Sequence, residues 1–395
     1  LRAARQAAAE VTMTKAIVSF LFLAAVACGS QSKSGFGPGD DAGDDASLAA
    51  DGSDGGDDPL DARFGGGDAD AGQAATCASA IANKSAVGCE YYAFPPDVFL
   101  YGGACFAAFI ANTSSAPVTI SVDRAGHALD VATFGYIPSG TGTSITYAPL
   151  AGGRVPAGQV AILFLNDASH LVSCPSGVRA AITGSDPAVH GTGIGDAFHI
   201  VTSAPVVAYD MFPYGGGNSA ATSATLLLPV SVWGTNYIAV DAYAKAMFGQ
   251  PVVAFVASED RTTITIDPSS AIVGGGGVAG TARGASKSYV LGKGQILQLT
   301  QDAELAGSIV QSDKPIGSWG GHTCLQIAVD VKACDSAHQQ IPAIASFGSE
   351  YVAVRYRNRY DGVEETPPWR LVGAVAGTEL TYEPSRPTNA PTTLD

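Results

Sequence analysis

Cysteine and histidine are the residues of this chain whose spacing could do chemistry. Seven cysteines occur, and setting Cys28 aside leaves six: Cys77, Cys89, Cys105, Cys174, Cys324 and Cys334. Six is an even number, as disulfide pairing requires. Cys324 and Cys334 lie ten apart in one stretch and make the best pair. By elimination Cys77, Cys89, Cys105 and Cys174 supply two further bridges, with Cys77 and Cys89 as the local one. The same stretch spells His322-x-Cys324 and Cys334-x3-His338, which are also the ligand types of a tetrahedral zinc site. An exported chain meets an oxidising compartment, so the disulfide is adopted, and neither a metal nor another cofactor is expected. His190, Asp196 and His199 lie close enough in sequence to form an acid–base set, but histidines in strands and turns are usually structural. Gly191-Thr-Gly-Ile-Gly195 lacks the spacing and flanking elements of a dinucleotide loop and reads as a turn. The chain contains no G-x-S-x-G elbow, H-E-x-x-H helix or P-loop. No catalytic residue is assigned, and the chain is read as a binder rather than an enzyme. A secreted hydrolase with a convergent Asp, Glu or His set is the alternative class.

Cys28 belongs to a different chemistry. After Met13, Thr14 and Lys15, residues 16–27 form a twelve-residue apolar run that ends in Ala25-Val26-Ala27-Cys28-Gly29. A membrane-crossing helix needs about 20 apolar residues, so this run has the length of a signal-peptide core. Its end resembles the lipobox of bacterial lipoproteins, in which the cysteine thiol takes a diacylglyceryl group, although Ala25 stands where leucine is usual. Ser30, by that resemblance, directs the chain to the outer membrane of the cell envelope. Residues 1–12, which begin at Leu1, are read as an over-extended start, so 1–28 comprise that start and the signal peptide.

Residues 29–75 carry eleven aspartates against Lys33 and Arg63, a net −9 out of −15 for the whole chain. With so few large apolar groups this stretch cannot offset its ordering entropy and is expected to be a disordered linker spanning on the order of 40 Å. It lacks the alternating ligands, central glycine and terminal glutamate of a calcium loop. The acidic balance argues against a nucleic-acid partner, which needs clustered cations. The one basic cluster, Arg355, Arg357 and Arg359, alternates with Val354, Tyr356 and Asn358 and reads as the solvated face of a strand.

The elements that must position these residues come from internal repetition. Ser203-Ala-Pro205 followed by Leu228-Pro-Val-Ser-Val-Trp-Gly-Thr-Asn-Tyr237 parallels Ser312-Asp-Lys-Pro315 followed by Ile341-Pro-Ala-Ile-Ala-Ser-Phe-Gly-Ser-Glu-Tyr351. Each copy consists of short Val-, Ile-, Thr- and Tyr-rich runs, among them 262–266, 288–291, 295–300, 308–311 and 315–319. Gly, Pro, Asn and Asp punctuate them every eight to twelve residues or so. No helix-period stretch is long enough for a crossover, which disfavours a parallel sheet. Repeats of roughly 115 to 150 residues suit a sandwich better than propeller blades. The expectation is all-β: tandem antiparallel β-sandwich-like modules after the acidic linker. A first module with a Cys-rich opening spans 76–245, a second 246–364, and the incomplete start of a third 365–395.

Several of these blocks, in order, resemble the IgG Fc-binding protein N-terminal domain family. They are the strand with Pro205, Phe212-Pro-Tyr-Gly-Gly-Gly-Asn-Ser219, Leu226-Leu-Leu-Pro229, Gly234-Thr-Asn-Tyr237, Ala257-Ser-Glu-Asp-Arg-Thr-Thr-Ile-Thr-Ile266, Ser312-Asp-Lys-Pro315, Gly320-Gly-His-Thr-Cys324 and Ala333-Cys-Asp335. The resemblance covers roughly residues 100–384. It implies an extracellular binding or adhesion module, with an unidentified protein or glycan ligand and a membrane association through the lipid anchor, and it carries no ligand residues with it. Ligand contacts are instead expected in turns that differ between the copies, 212–218 and 320–334, with Phe212, Tyr214, Asn218 and His322 as candidates.

Overall fold

Two unusually long strands, Phe198–Phe212 and Ile309–Leu325, organise the fold. The structure is a computed structural model describing residues 76–394 apart from 169–170, 216–221, 246, 328–333, 356–357, 359–361, 363–364 and 366. The expected signal segment, Cys28 and the acidic stretch lie outside the described residues. The second long strand absorbs two runs that the sequence separates, 308–311 and 315–319. Pro315 causes that separation, as Pro205 does in the first copy. Proline has no N–H to give a ladder, so it sits where a strand changes partners.

Both strands change partners there in the same way. Below Pro205 the first long strand pairs antiparallel with Val118–Arg124 and Gly88–Ala93; above it the partners are Phe106–Ala111 and Ser223–Leu227. Below Pro315 the second pairs with Thr262–Asp267 and Gly234–Ile238; above it, with Pro251–Ala257 and Asp335–Ile341. One strand thus turns the corner between two faces of a sandwich, twice over. Polar groups freed at each corner are satisfied alike. Thr202 Oγ1 donates to the Ala204 carbonyl at 2.8 Å, and Ser312 Oγ to that of Lys314 at 2.6 Å. Ser203 Oγ accepts from the Thr119 N–H at 3.0 Å, and Asp313 Oδ1 from the Thr263 N–H at 2.7 Å. These bonds equate Thr202, rather than Ser203, with Ser312.

A Gly-x-x-Tyr motif opens each repeat. The Gly88 N–H donates to the Tyr91 hydroxyl at 2.8 Å, which donates onward to the Val206 carbonyl at 2.5 Å. Gly234, Tyr237 and the Ile316 carbonyl repeat the arrangement at 3.0 and 2.5 Å. Each tyrosine thereby latches its strand to the residue just past the corner proline. Gly348 and Tyr351 form the glycine–tyrosine bond once more, with the glycine N–H 2.7 Å from the hydroxyl. There Tyr351 is 72 % exposed, and residues 351–355 join no strand. Arg355 is therefore not on a strand face; Arg357 and Arg359 lie outside the described residues. The following segment reaches the second repeat through Arg370, whose Nη1 is 2.5 Å from Glu304 Oε2 and whose guanidinium lies over the Tyr243 ring. Trp369 and Val375 stay exposed.

Among the described residues helix is confined to short pieces such as Cys77–Ala82, capped by Thr76, and Val131–Phe134, capped by Asp130. Val118–Arg124 alternates in burial, while Phe106–Ala111 and Val160–Asp167 are covered on both faces and read as unbroken apolar runs. The main core joins first-repeat residues such as Phe106, Phe198 and Leu163 to Val256, Ile296 and Trp319 of the second. The repeats also exchange backbone: Gly193–Asp196 pairs with Gln295–Thr300 of the second sheet immediately before the chain enters the first long strand. Near the other end of that strand, Ser336 Oγ donates to the Phe212 carbonyl and the Leu228 N–H to Gln340 Oε1. The described residues accordingly fall within one compact unit.

A candidate ligand cleft between the repeats

The six cysteines form Cys77–Cys89, Cys105–Cys174 and Cys324–Cys334 bridges, with S–S distances of 2.04, 1.94 and 2.01 Å. A bridged sulfur has no thiolate to offer a metal. Among the described residues no group of three or more His, Cys, Asp or Glu is placed to hold one. His322 and His338 instead line, with Phe94, Gln298 and Trp319, a space of about 10 Å³, roughly one water. His338 is buried between Phe94 and Trp319, and burial lowers its pKa to about 3. His322 is 2 % exposed and its Nδ1 accepts the Cys324 N–H at 3.1 Å.

Phe212 and Tyr214 are buried as well. Phe212 packs against Phe106, Tyr214 sits edge-on to Phe109, and the Tyr214 and Tyr147 hydroxyls share a hydrogen bond of 2.8 Å. The expected aromatic contact surface is thus an internal anchor for the turn. Removing such side chains from water stabilises by about 1.5–3 kcal/mol each, which favours the inward arrangement. Asn218 lies outside the described residues.

His190, Asp196 and His199 do not form one set. His190 sits between Asp97 Oδ1 at 2.9 Å and Asp186 Oδ2 at 3.0 Å, and these hydrogen bonds raise its pKa to about 10. His199 has a separate pair of partners, Glu90 Oε1 on Nε2 and Asp123 Oδ2 on Nδ1, each at 2.8 Å. Strand register makes that cluster. His199 stands directly opposite Tyr92 on one side and Asp123 on the other, and its ring stacks on Tyr92 with centroids 4.6 Å apart. Hydrogen bonding to His199 holds the Glu90 carboxyl below its usual range.

This row forms one wall of a cleft of about 490 Å³, within the range of ligand sites. Asp123, Gly126, Asp196 and His199 come from the first repeat; Asp260 and the 292–295 turn, with Lys293, come from the second. The walls are fixed by backbone: the Ala197 N–H donates to the Gly294 carbonyl at 2.9 Å, and the Gly294 N–H to that of Ala257 at 2.8 Å. Asp260 Oδ1 accepts the Lys293 N–H at 3.0 Å, and the Lys293 ammonium lies 4.0 Å from Glu90. The carboxylates of Asp123, Asp196 and Asp260, with Glu90 behind His199, outnumber the cations. Both ring nitrogens of His199 face carboxylates, as do both of His190, so neither histidine has a lone pair directed at a substrate. The arrangement is suited to holding charge rather than moving a proton.

The second repeat shows that the scaffold does not require this cluster. At the register positions of Tyr92, His199 and Asp123 it carries Ile238, Ile309 and Asp267. Ile309 is 49 % exposed, so the same corner is built there without a buried histidine. Sequence reading missed Glu90, Asp260 and Lys293 because they come from three distant segments. A signal existed in His199, a polar residue within the apolar alternation of Phe198-His-Ile-Val201.

The family model described as IgGFc binding protein matches residues 223–395. The match covers the second repeat and the C-terminal segment after it; the Pro205 strand and the residue 212–219 turn lie before it. No curated protein and no solved structure matches the chain.

Proposed function

We propose that this chain is an exported, surface-anchored lipoprotein whose β body is an extracellular binding module for a protein or glycan. The observation that carries the reading is the family match over residues 223–395. The first repeat, whose long strand takes its neighbours in the same arrangement as the long strand of the second, extends that module towards the N-terminus. Three disulfides fit an oxidising compartment. Cys28, following the apolar run, is the lipid attachment point on the bacterial outer membrane, and residues 29–75 are the spacer. The two histidine–carboxylate clusters, each with both ring nitrogens occupied, favour binding over hydrolysis. Nucleic acid is not the ligand of so acidic a chain.

The test is capture of extracellular proteins and glycans by the purified chain, alongside fractionation of cells making the wild type or Cys28→Ser. Retention of a defined ligand, with release from the membrane fraction in the variant, is expected. Turnover of a peptide, ester or glycosidic panel would replace binding with hydrolysis, and an unmodified wild type in the soluble fraction would remove the anchor.

A further inference from the structure

The cleft contains a polar group that the fold leaves without a partner. Tyr92 is 1 % exposed, and its hydroxyl has no hydrogen-bond partner among the described residues. A buried hydroxyl left unpaired costs about 1–3 kcal/mol, so it calls for an explanation. Tyr91, its neighbour, is fully paired through the latch described above. Tyr92 lines the cleft, and a Cβ added to Gly294 would lie 3.5 Å from its Cε1, next to the hydroxyl-bearing carbon. The hydroxyl end of the ring therefore points to the 292–294 turn. Burial first, then the charges of Glu90, Asp123 and Asp260, raise the pKa of this hydroxyl.

We infer that the cleft is a subsite for a basic side chain, guanidinium or ammonium, of a protein ligand, held by Asp123, Asp196 and Asp260 with the Tyr92 hydroxyl as an additional acceptor. The carboxylates supply the charge, and the stacked Tyr92 and His199 rings form the floor. Glycines at 126, 292 and 294 let a peptide backbone approach the rim. A volume of about 490 Å³ admits a short segment around that side chain. Lys293, whose ammonium already lies beside Glu90, would exclude a second cation and restrict the site to one basic group. This inference deepens the binding reading of the chain and rests on it.

The test titrates the full chain with acetyl-Gly-Arg-Gly-amide and with its citrulline isostere, which keeps the shape and removes the charge. Saturable binding of the arginine peptide, at least about tenfold weaker for citrulline, is expected, as is a salt-sensitive affinity. Tyr92→Phe should weaken arginine binding about tenfold while its unfolding midpoint stays level or rises, because only an unpaired oxygen is removed. Asp260→Asn should weaken binding similarly. Equal binding of the two peptides, no binding of either, or an unchanged affinity in Tyr92→Phe would overturn the subsite. A chain that still captures its extracellular ligand while ignoring the arginine peptide loses this subsite alone; one that captures nothing loses the binding function itself.

Discussion

At the scale of single residues, two histidines of opposite character give the body opposite pH responses. His190 gains Asp97 and Asp186 on folding, which raises its pKa to about 10 from an unfolded value near 6.5. A raised value in the folded state adds stability fully below pH 6.5, and that contribution is lost as the pH rises through about 10. The side chain is 53 % exposed, so solvent screening holds the gain to about 1 kcal/mol or less. The urea midpoint of His190→Gln should therefore trail the wild type at pH 6 and converge on it by about pH 10.5. A gap that stays constant would show that the ion pairs contribute nothing. His338 is the reverse case, buried with its pKa lowered to about 3. Its ionisation has no effect on stability above pH 6.5 and destabilises progressively as the pH falls from 6.5 towards 3, because the unfolded chain takes up the proton first. His338→Phe, which keeps a ring between Phe94 and Trp319, should flatten that part of the acid limb by a few kcal/mol on the order of the pKa difference. An acid limb identical to wild type would contradict the burial of a neutral ring.

At the scale of elements, the corner strands and their tyrosine latches repeat, but only two of the three latches close. Tyr91 and Tyr237 each join the N–H of the glycine that opens their strand to a carbonyl of a long strand, whereas Tyr351, among the described residues, has the Gly348 bond alone. Tyr91→Phe and Tyr237→Phe leave a buried carbonyl and N–H unsatisfied and should each cost about 1–3 kcal/mol. Tyr351→Phe, at an exposed position, should cost less than about 0.5 kcal/mol. Guanidinium midpoints of the three variants decide this; an equal cost for all three would mean that the latch acts within its loop and not on the strand. In both closed latches the glycine opens the strand, and the pairing register shifts between it and the residue two further on, which brings the tyrosine hydroxyl back over the glycine N–H.

At the scale of the whole molecule, the bridges restrain segments of very different length. Cys105–Cys174 spans a sequence separation of 69, while Cys324–Cys334 spans 10. Loop-closure entropy then assigns about 4 kcal/mol to the first and about 2–3 kcal/mol to the second. Replacing both cysteines of each pair with serine should lower thermal stability in that order, read by calorimetry at one scan rate. A larger loss from Cys324→Ser with Cys334→Ser would show that local packing around the buried Cys324, not chain entropy, sets the effect. The repeats share a core and exchange Gly193–Asp196, so each loss falls on the whole unit.

What the sequence determined alone was what short-range pattern can carry. Alternating Val, Ile and Thr, regularly spaced turn residues, duplicated Pro205 and Pro315 blocks and an even set of cysteines specify antiparallel strands, their repetition and a disulfide framework, because period and turn chemistry are local properties of a chain. Tertiary structure decided the rest. Pro315 interrupts the apolar pattern without interrupting the strand, since the strand keeps pairing by exchanging neighbours at that residue. Phe212 and Tyr214, placed in a glycine-rich turn that reads as surface, face inward because the neighbouring strands supply Phe106, Phe109 and Tyr147 to cover them. Glu90, Asp123, His199, Asp260 and Lys293 carry no mutual signal in the sequence. Strand register and the junction of the two sheets bring them together, and both are set by long-range pairing that no local window contains.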